Sequence, residues 1–285
     1  MTTLKLAIQK SGRLNEDSLK ILKDCGISIE NGNDQLKAKA SNFPLEVLFL
    51  RNSDIPQYLI DGVVDIAIVG DNLLVEKGGN IQIVEKLGFS KCKVSVAVPK
   101  NFRFNELEDL QNLRIATSYP NTVLNFFQSQ NIQVDLHQIS GSVEIAPNIG
   151  LSDAIVDIVS SGSTLFKNNL KEVAVIMQSE AVLAVSKEIS DQNQLILDKF
   201  LFRIQSVLKA RKSKYILMNV PNENILRISE ILPVLKSPTI MPLAEKGWSS
   251  LHSVIEEDQF WEVIDQLKAA GAEGILVCPI EKMVL

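Results

Sequence analysis

Two kinds of chemistry are combined in the segment from Glu144 to Leu165. Asp153 and Asp157 are four residues apart, a spacing that places two carboxylates on one face of a helix, and apolar residues surround them. Five small residues follow, Ser160-Ser161-Gly162-Ser163-Thr164. Glycine permits a sharp turn, whose backbone N–H groups and neighbouring hydroxyls form an anion site of the size of a phosphate. The segment therefore predicts acidic groups beside an anion-binding turn.

The same residues have a second, purely structural interpretation. Aspartates at this spacing are common on solvated helix faces, and a run such as Ser-Gly-Ser-Thr is common where a helix ends and a loop begins. A single motif often matches by chance, so this segment alone does not decide between the two interpretations. The rest of the chain must supply the context.

Further candidates follow the buried strands that are predicted at residues 4–8, 45–50 and 65–69. Ligands of parallel sheets lie beyond the carboxyl ends of the strands, so polar residues at those ends are candidates for binding. They are Lys10, Ser11, Gly12, Arg13, Arg51 and Asp71. The residues from Lys10 to Arg13 also precede a predicted helix, whose N-terminal N–H groups attract phosphate, although a solvated turn would explain them equally well.

The elements that must position these residues alternate between strand and helix, with a hairpin predicted through residues 27–39. After residue 98 the pattern restarts, with strands predicted at 113–117, 135–139, 172–177 and 181–185. This alternation calls for parallel sheets with helices on their faces, in two α/β lobes. A long helix over 195–210 and a charged hinge at 211–214 then lead into a last part whose order, βαββαβ, is ferredoxin-like.

Length and composition exclude several classes of protein. The 285 residues suggest two or three domains, and 46% hydrophobic with 22% charged residues is ordinary for a globular protein with a sizeable core. A net charge of −5 argues against general nucleic-acid binding. Three separated cysteines and two histidines argue against a zinc site or a Cys/His catalytic pair. Without a signal peptide or a membrane-spanning run, we expect a cytoplasmic protein that binds neither nucleic acid nor membranes.

Order and context favour the functional interpretation, because the segment 144–165 resembles the phosphoribosyl-diphosphate loop of phosphoribosyltransferases. With Glu144 included, the chain resembles the long form of ATP phosphoribosyltransferase, the first enzyme of histidine biosynthesis. The other segments that carry the resemblance are Gln9-Lys-Ser-Gly-Arg-Leu14, Asp65-Ile-Ala-Ile-Val-Gly70, Arg114-Ile-Ala-Thr-Ser-Tyr-Pro120 and Ile275-Leu-Val-Cys-Pro-Ile-Glu-Lys-Met283. It covers the whole chain, with two departures. Ala67 stands where the family often has glycine, and Ser160 where many members have an acid.

The resemblance implies a fold and a division into domains. The fold is α/β, with two catalytic lobes arranged as in type II periplasmic-binding proteins and a C-terminal ferredoxin-like βαββαβ domain. The first lobe is expected to comprise residues 1–98 with 180–212. The second lobe, with the phosphoribosyl-diphosphate loop, comprises 99–179, and a regulatory domain comprises 213–285.

The resemblance also implies a reaction, in which the 5-phosphoribosyl group of phosphoribosyl diphosphate is transferred to N1 of the adenine of ATP. Because the ring nitrogen is already a nucleophile, positioning and charge neutralisation matter more than covalent catalysis. Mg²⁺, held mainly by substrate phosphates, is the expected cofactor. The residues expected to bind phosphoribosyl diphosphate are Asp153, Asp157, Ser160, Ser161, Gly162, Ser163 and Thr164. Those expected to bind ATP are Lys10, Ser11, Gly12, Arg13, Arg51, Asp71 and Tyr119. The expected catalytic residues are Glu144, Asp153, Asp157 and Lys10.

Regulation is implied as well. In the long-form family the C-terminal domain binds histidine as a feedback inhibitor, and the matching positions here are Asn219, Ser237 and Thr239, although some members have Asp where Asn219 stands. Ordinary strand-entry chemistry is the alternative explanation for Ser237 and Thr239. We expect a homo-oligomer, from dimer to hexamer, without a separate regulatory subunit.

Two other functions are compatible with this architecture. The same two-lobed architecture serves solute-binding and effector-sensing modules that do no chemistry, because fold alone does not assign function. A phosphoribosyltransferase that uses a different acceptor is the second alternative.

Overall fold

The computed structural model describes residues 2–29, 36–160, 162–232 and 237–284. The chain divides into two compact units, Met1–Lys23 with Ile27–Leu197, and Asp24–Gly26 with Asp198–Leu285. Among the described residues no helix is long and apolar enough to cross a membrane.

The first unit begins with a mixed sheet whose central strands are parallel. Its elements in chain order are β1 (Leu4–Gln9), α1 (Arg13–Asp24), β2 (Lys37–Lys39), β3 (Leu45–Leu50), α2 (Ile55–Ile60), β4 (Ile66–Gly70), α3 (Asp71–Lys77) and β5 (Gln82–Lys86). Strand β1 pairs in parallel with β3 and with β4. Leu6, Ala7 and Ile8 are buried in succession, as expected for a strand that is covered on both faces. In the predicted hairpin Ile29 bridges Ala40, and the expected turn at 31–34 lies outside the described residues.

A second sheet follows in the same unit. Its elements are β6 (Cys92–Pro99), β7 (Arg114–Thr117), α4 (Pro120–Ser129), β8 (Asp135–Gln138), β9 (Ala154–Val159), α5 (Ser163–Lys167) and β10 (Leu170–Ser179). The strand order is β10-β6-β9-β7-β8, with β7 parallel to both β8 and β9. Val94, Val96, Ile115, Phe127 and Val156 form part of the core between this sheet and its helices. The carboxyl ends of β7, β8 and β9 therefore lie at one edge of the sheet.

The chain passes between the two sheets twice. It returns to the first sheet through β11 (Ala181–Val185), which is antiparallel to both β4 and β5, so that the order is β2-β3-β1-β4-β11-β5. Strand β6 was expected in the first lobe, because the boundary was set at residue 98. It pairs instead with β9 and β10, which corrects the first crossing to between Lys86 and Cys92. Two α/β lobes joined by two crossings form the expected type II periplasmic-binding-protein layout.

The third sheet belongs to the C-terminal part of the chain. Its elements follow α6 (Asp191–Lys212) and are β12 (Ser213–Pro221), α7 (Ile225–Ile231), β13 (Thr239–Pro242), β14 (Trp248–Glu256), α8 (Glu257–Ala269) and β15 (Glu273–Pro279). The antiparallel order β13-β14-β12-β15 confirms the ferredoxin-like arrangement. The hinge predicted at 211–214 is wrong, since α6 continues to Lys212 and β12 begins at the next residue.

Candidate functional site

The central segment folds as strand, turn and helix. The helix predicted around Asp153 and Asp157 is wrong, because Ala154–Val159 is strand β9, paired with β6 on one side and β7 on the other. Apolar, β-branched residues occupy most of this strand, and they fit a sheet better than a helix. The expected turn follows directly. Gly162 has a φ of +73° and precedes α5, in a backbone region that glycine enters without a steric penalty.

The change from helix to strand separates the two aspartates. Four residues of strand span about 13 Å, so the carboxylates lie at opposite ends of β9. Asp153 precedes the strand and pairs with Arg114, whose Nη2 is 2.8 Å from Oδ1 and whose backbone N–H donates to Oδ2 at 3.0 Å. The hydrogen bond from the Arg114 side chain holds the pKa of Asp153 below its usual range. Asp153 is therefore not brought to the turn.

Asp157 does reach the turn, where Glu144 joins it. Both line a cavity with Ile158, Val159, Ser160, Gly162, Ser163, Thr164 and Leu165. Burial raises the pKa of Asp157, the backbone N–H of Ile158 lowers it with a 2.8 Å hydrogen bond to Oδ1, and the charge of Glu144 raises it further. Ser161 lies outside the described residues. The cavity thus combines two carboxylates with hydroxyls and a glycine turn, as the sequence predicts.

A second cavity extends across the two lobes. It is lined by Gln9, Arg13, Leu14, Asn52, Gly70, Asn72, Ser90, Lys91, Cys92, Ile158, Ser160, Ser179 and Ala181. Arg13, the first residue of α1, and Ser160, from the turn that contains Gly162, are the predicted residues that line this cavity. Ser160 and Ile158 also line the first cavity, so the two cavities are adjacent.

The remaining strand-end candidates occupy varied positions. Lys10, Ser11 and Gly12 are exposed between β1 and α1, where Gly12 has a φ of +86°. Arg51 is exposed directly after β3. These four residues do not line the second cavity. Asp71 begins α3, and its Oδ1 accepts a hydrogen bond of 3.1 Å from the backbone N–H of Glu180, at the second crossing between the sheets.

Tyr119 is buried at the end of β7, directly before α4, with only 9% of its surface exposed. Burial raises the pKa of its phenol well above the ordinary value, and the negative charge of Asp157 adds to the shift. The phenol therefore stays protonated at neutral pH and can donate a hydrogen bond.

Several residues of the second cavity were not anticipated from the sequence. Asn52 follows β3 and Asn72 follows β4, so the rule of strand ends that selected Arg51 and Asp71 applies to them equally. The buried Oδ1 of Asn52 has no hydrogen-bond partner among the described residues. No feature of the sequence marks Cys92 and Ser179 as site residues. They line the cavity only because they lie where the chain crosses between the two sheets.

The candidates for regulation lie on or beside the third sheet. Asn219 on β12 is opposite Ser250, and Thr239 on β13 is opposite His252. Since Ser250 and His252 are two residues apart on β14, these four residues share one face of the sheet. Ser237 is exposed just before β13.

In the part of the chain that the structure describes, no group of three or more His, Cys, Asp and Glu side chains could hold a metal ion. Glu144 and Asp157 are the two carboxylates that line the described cavity at the Gly162 turn. A hard cation such as Mg²⁺ accepts few protein carboxylates when substrate phosphates supply other ligands, so these residues fit a substrate-borne metal.

The chain matches family models, full-length relatives and solved structures. A family model described as "ATP phosphoribosyltransferase" matches residues 51–206, and one described as "HisG, C-terminal domain" matches residues 210–282. An ATP phosphoribosyltransferase of Cytophaga hutchinsonii is 57% identical over 99% of both chains. One from Phocaeicola vulgatus is 51% identical over 99% of this chain and 100% of its own. Among solved structures, the ATP phosphoribosyl transferase (HisG:HisZ) complex from Thermotoga maritima matches with a TM-score of 0.63 and 31% identity, over 73% of this chain and 99% of that one.

Proposed function

Because the chain belongs to the ATP phosphoribosyltransferase family of histidine biosynthesis, we propose that it transfers the 5-phosphoribosyl group of phosphoribosyl diphosphate to N1 of the adenine of ATP. The products are phosphoribosyl-ATP and pyrophosphate. The observation that supports this most directly is the cavity in which the Gly162 turn faces Glu144 and Asp157. It presents the groups that a sugar phosphate requires.

In this proposal the turn binds the 5′-phosphate of phosphoribosyl diphosphate. The residues assigned to it are Ser160, Ser161, Gly162, Ser163 and Thr164. The carboxylate of Asp157 lies beside the turn and accepts hydrogen bonds from the ribose hydroxyls. Glu144, across the same cavity, approaches the reacting C1′ side. Asp153 is given a structural role instead, since Arg114 occupies its carboxylate.

ATP is assigned to the neighbouring cavity and the strand ends around it. Arg13 lines that cavity, while Lys10 and Arg51 supply positive charge at the ends of β1 and β3. Ser11 and Gly12 contribute backbone groups before α1. Tyr119 offers a protonated phenol at the end of β7, and Asp71 retains one carboxylate oxygen beyond its bond to Glu180.

The chemistry needs little from the protein beyond geometry and charge. N1 of adenine attacks C1′ from the side opposite the departing pyrophosphate, so the configuration at C1′ inverts. The two adjacent cavities hold the reactants for this displacement, which converts a bimolecular step into an intramolecular one. Lys10, Arg13 and Arg51 attract the phosphate groups, and Glu144 and Asp157 hold the ribose. When bound, mainly through the substrates, Mg²⁺ would supply positive charge to neutralise the pyrophosphate, beside the carboxylates of Glu144 and Asp157.

Regulation is proposed for the C-terminal domain of a homo-oligomer. Histidine has a carboxylate, an ammonium group and an imidazole, and the sheet face with Asn219 and Thr239 offers polar groups that can bind them. Ser237 adds a hydroxyl at the entry to β13. Feedback inhibition then follows if histidine binds a less active arrangement more tightly.

A mass-spectrometric assay tests the proposed reaction. The intact protein is incubated with ATP and phosphoribosyl diphosphate, with and without Mg²⁺, and the products are followed. Phosphoribosyl-ATP and pyrophosphate are expected only when Mg²⁺ is present. Transfer to another purine or pyrimidine, but not to ATP, would replace the proposed acceptor. Binding without any product would favour a sensing module.

A further inference from the structure

Helix α4 begins without a capping side chain of its own. Tyr119 occupies the N-cap position, where Ser, Thr, Asp or Asn usually accepts a hydrogen bond from the first turn. Pro120 follows and has no N–H group. The first backbone donors of α4 therefore belong to Asn121 and Thr122, and they need an acceptor from elsewhere.

Glu76 supplies that acceptor from helix α3, in the other lobe. Its Oε1 accepts the backbone N–H of Asn121 at 3.0 Å, and its Oε2 accepts the backbone N–H of Thr122 at 2.8 Å. The Thr122 hydroxyl also donates to Oε2 at 2.8 Å, and the Asn121 side-chain amide donates to the backbone carbonyl of Glu76 at 3.0 Å. We call these four hydrogen bonds the interlobe clasp. A carboxylate here also complements the positive end of the helix dipole.

The other end of α3 is bound at the second crossing between the sheets. The Ser179 hydroxyl donates to Asn72 Oδ1 at 2.9 Å, and the backbone N–H of Glu180 donates to Asp71 Oδ1. Helix α3 thus follows a strand of the first sheet, but its N-terminal end is hydrogen-bonded to the crossing. Its C-terminal end is hydrogen-bonded to the second lobe through Glu76. The clasp is thus a direct attachment of α3 to the second lobe, at the end of the helix opposite the crossing.

We propose that Glu76 is a positioning residue for the reaction. Through the clasp it fixes the start of α4, and with it Tyr119 and the width of the space between the lobes. Glu76, Tyr119 and Asn121 share the lining of one cavity, so a change in the clasp alters that space directly. Because Tyr119 is assigned to ATP, this role rests on the proposed function. Glu76 does not line the cavity of the phosphate turn.

The positional role is tested first without any substrate. Paramagnetic labels are placed at Lys20 on α1 and Gln128 on α4, both exposed, by a chemistry that spares the three native cysteines. Labelled chains are diluted with unlabelled ones, so that distances within a chain are measured. One narrow distance distribution is expected for the native protein, and a broader one for Glu76→Gln, because an amide replaces one of the two acceptor oxygens. Thr122→Val should broaden it as well, whereas Thr122→Ser, which keeps the hydroxyl, should not.

Steady-state kinetics supply the functional readout. We expect Glu76→Gln to raise KM for ATP about five- to twentyfold while KM for phosphoribosyl diphosphate changes less than about twofold. Combining Glu76→Gln with Thr122→Val should add little to either change alone, because both remove the same contact. Glu108→Gln, at an exposed carboxylate of the second lobe, is the matched control and should behave as the native protein.

The outcomes separate the two proposals. A native distance distribution in Glu76→Gln, or equal increases in both KM values, overturns the positioning role. Circular dichroism and thermal unfolding show whether a variant is folded, and Thr122→Val gives a second test if Glu76→Gln is not. If the protein makes no phosphoribosyl-ATP, the label distances still decide whether the clasp sets the arrangement of the lobes.

Discussion

At the scale of single residues, the two aspartates of the central segment differ in their surroundings. Arg114 keeps Asp153 ionised and lowers its pKa, whereas burial near Glu144 raises the pKa of Asp157. A carboxyl group with a lowered pKa stabilises the folded protein above its unfolded pKa. One with a raised pKa weakens the folded protein as the pH rises through its folded pKa. The same substitution should therefore act oppositely at the two positions.

Asp157→Asn is expected to lower kcat/KM by about ten- to a hundredfold, because a charge-assisted hydrogen bond to ribose contributes about 1.5–3 kcal/mol. Its melting temperature at neutral pH should rise, since asparagine keeps an oxygen for the N–H of Ile158 and removes a partly buried charge. Steady-state kinetics and thermal unfolding of the same preparation measure both effects. If Asp157→Asn has the same kinetics as the native protein, Asp157 has only a structural role.

Asp153→Asn serves as the matched comparison, at the residue directly before the same strand. We expect kcat/KM to stay within about threefold of the native value, and the melting temperature to fall by roughly 1–4 °C, as for one partly exposed ion pair. This loss should shrink as the pH falls below about 4, where the unfolded carboxyl becomes protonated. A large loss of kcat/KM without a loss of stability would instead support the ribose contact that the sequence predicted for Asp153.

At the scale of elements, the turn between β9 and α5 depends on backbone conformation. An added Cβ at Gly162 would meet no atom within 4 Å, so the restriction there comes from the positive φ. Gly62 offers a matched control, with a φ of +66° and equally open surroundings, away from the proposed site. Comparing the two separates backbone strain from loss of the anion site.

Gly162→Val and Gly62→Val should each destabilise the fold by about 1–2 kcal/mol, the usual cost of a left-handed conformation in a residue with a side chain. Only Gly162→Val is expected to lose binding of phosphoribosyl diphosphate, measured by calorimetry. If both variants bind it normally, the turn is a cap before α5 and does not hold the phosphate.

At the scale of the whole molecule, we propose that the C-terminal domain regulates the catalytic lobes. An inhibitor that binds only the C-terminal domain must favour one arrangement of the protein over another, with a coupling of about 1–3 kcal/mol. Such coupling does not require the inhibitor to resemble a substrate. It does require that the sites be distinct, which kinetics can establish.

We expect histidine to inhibit the intact protein without competing directly with phosphoribosyl diphosphate. Thr239→Val should raise the half-inhibitory histidine concentration about tenfold or more, through loss of a hydroxyl in a polar site. Ile240→Val, at the next position of β13 and on the opposite face, should leave it unchanged. Simple competition that Thr239→Val does not alter would contradict an allosteric site in this domain.

The sequence by itself determined most of the buried strands, the α/β character of the lobes, the βαββαβ order of the last part and the turn at Gly162. These follow from local composition, since a run such as Ala67-Ile68-Val69 is stable only when both faces are covered. A short apolar run such as Ala154–Val159 fits either a helix or a strand, and only its pairing with β6 and β7 decided that it is a strand.

Tertiary structure alone decided which partners meet. Asp153 pairs with Arg114, which is 39 residues away in the sequence. Glu76 accepts the backbone N–H of Thr122, which is 46 residues away, and so caps helix α4. Strand β6 likewise joined the second sheet, although its apolar pattern would suit either one. Local sequence specifies the type and spacing of side chains, whereas contacts between distant residues depend on how strands pair and where the chain crosses between lobes. The physical reason is that ion pairs and caps act over a few ångströms of space, whatever the separation along the chain.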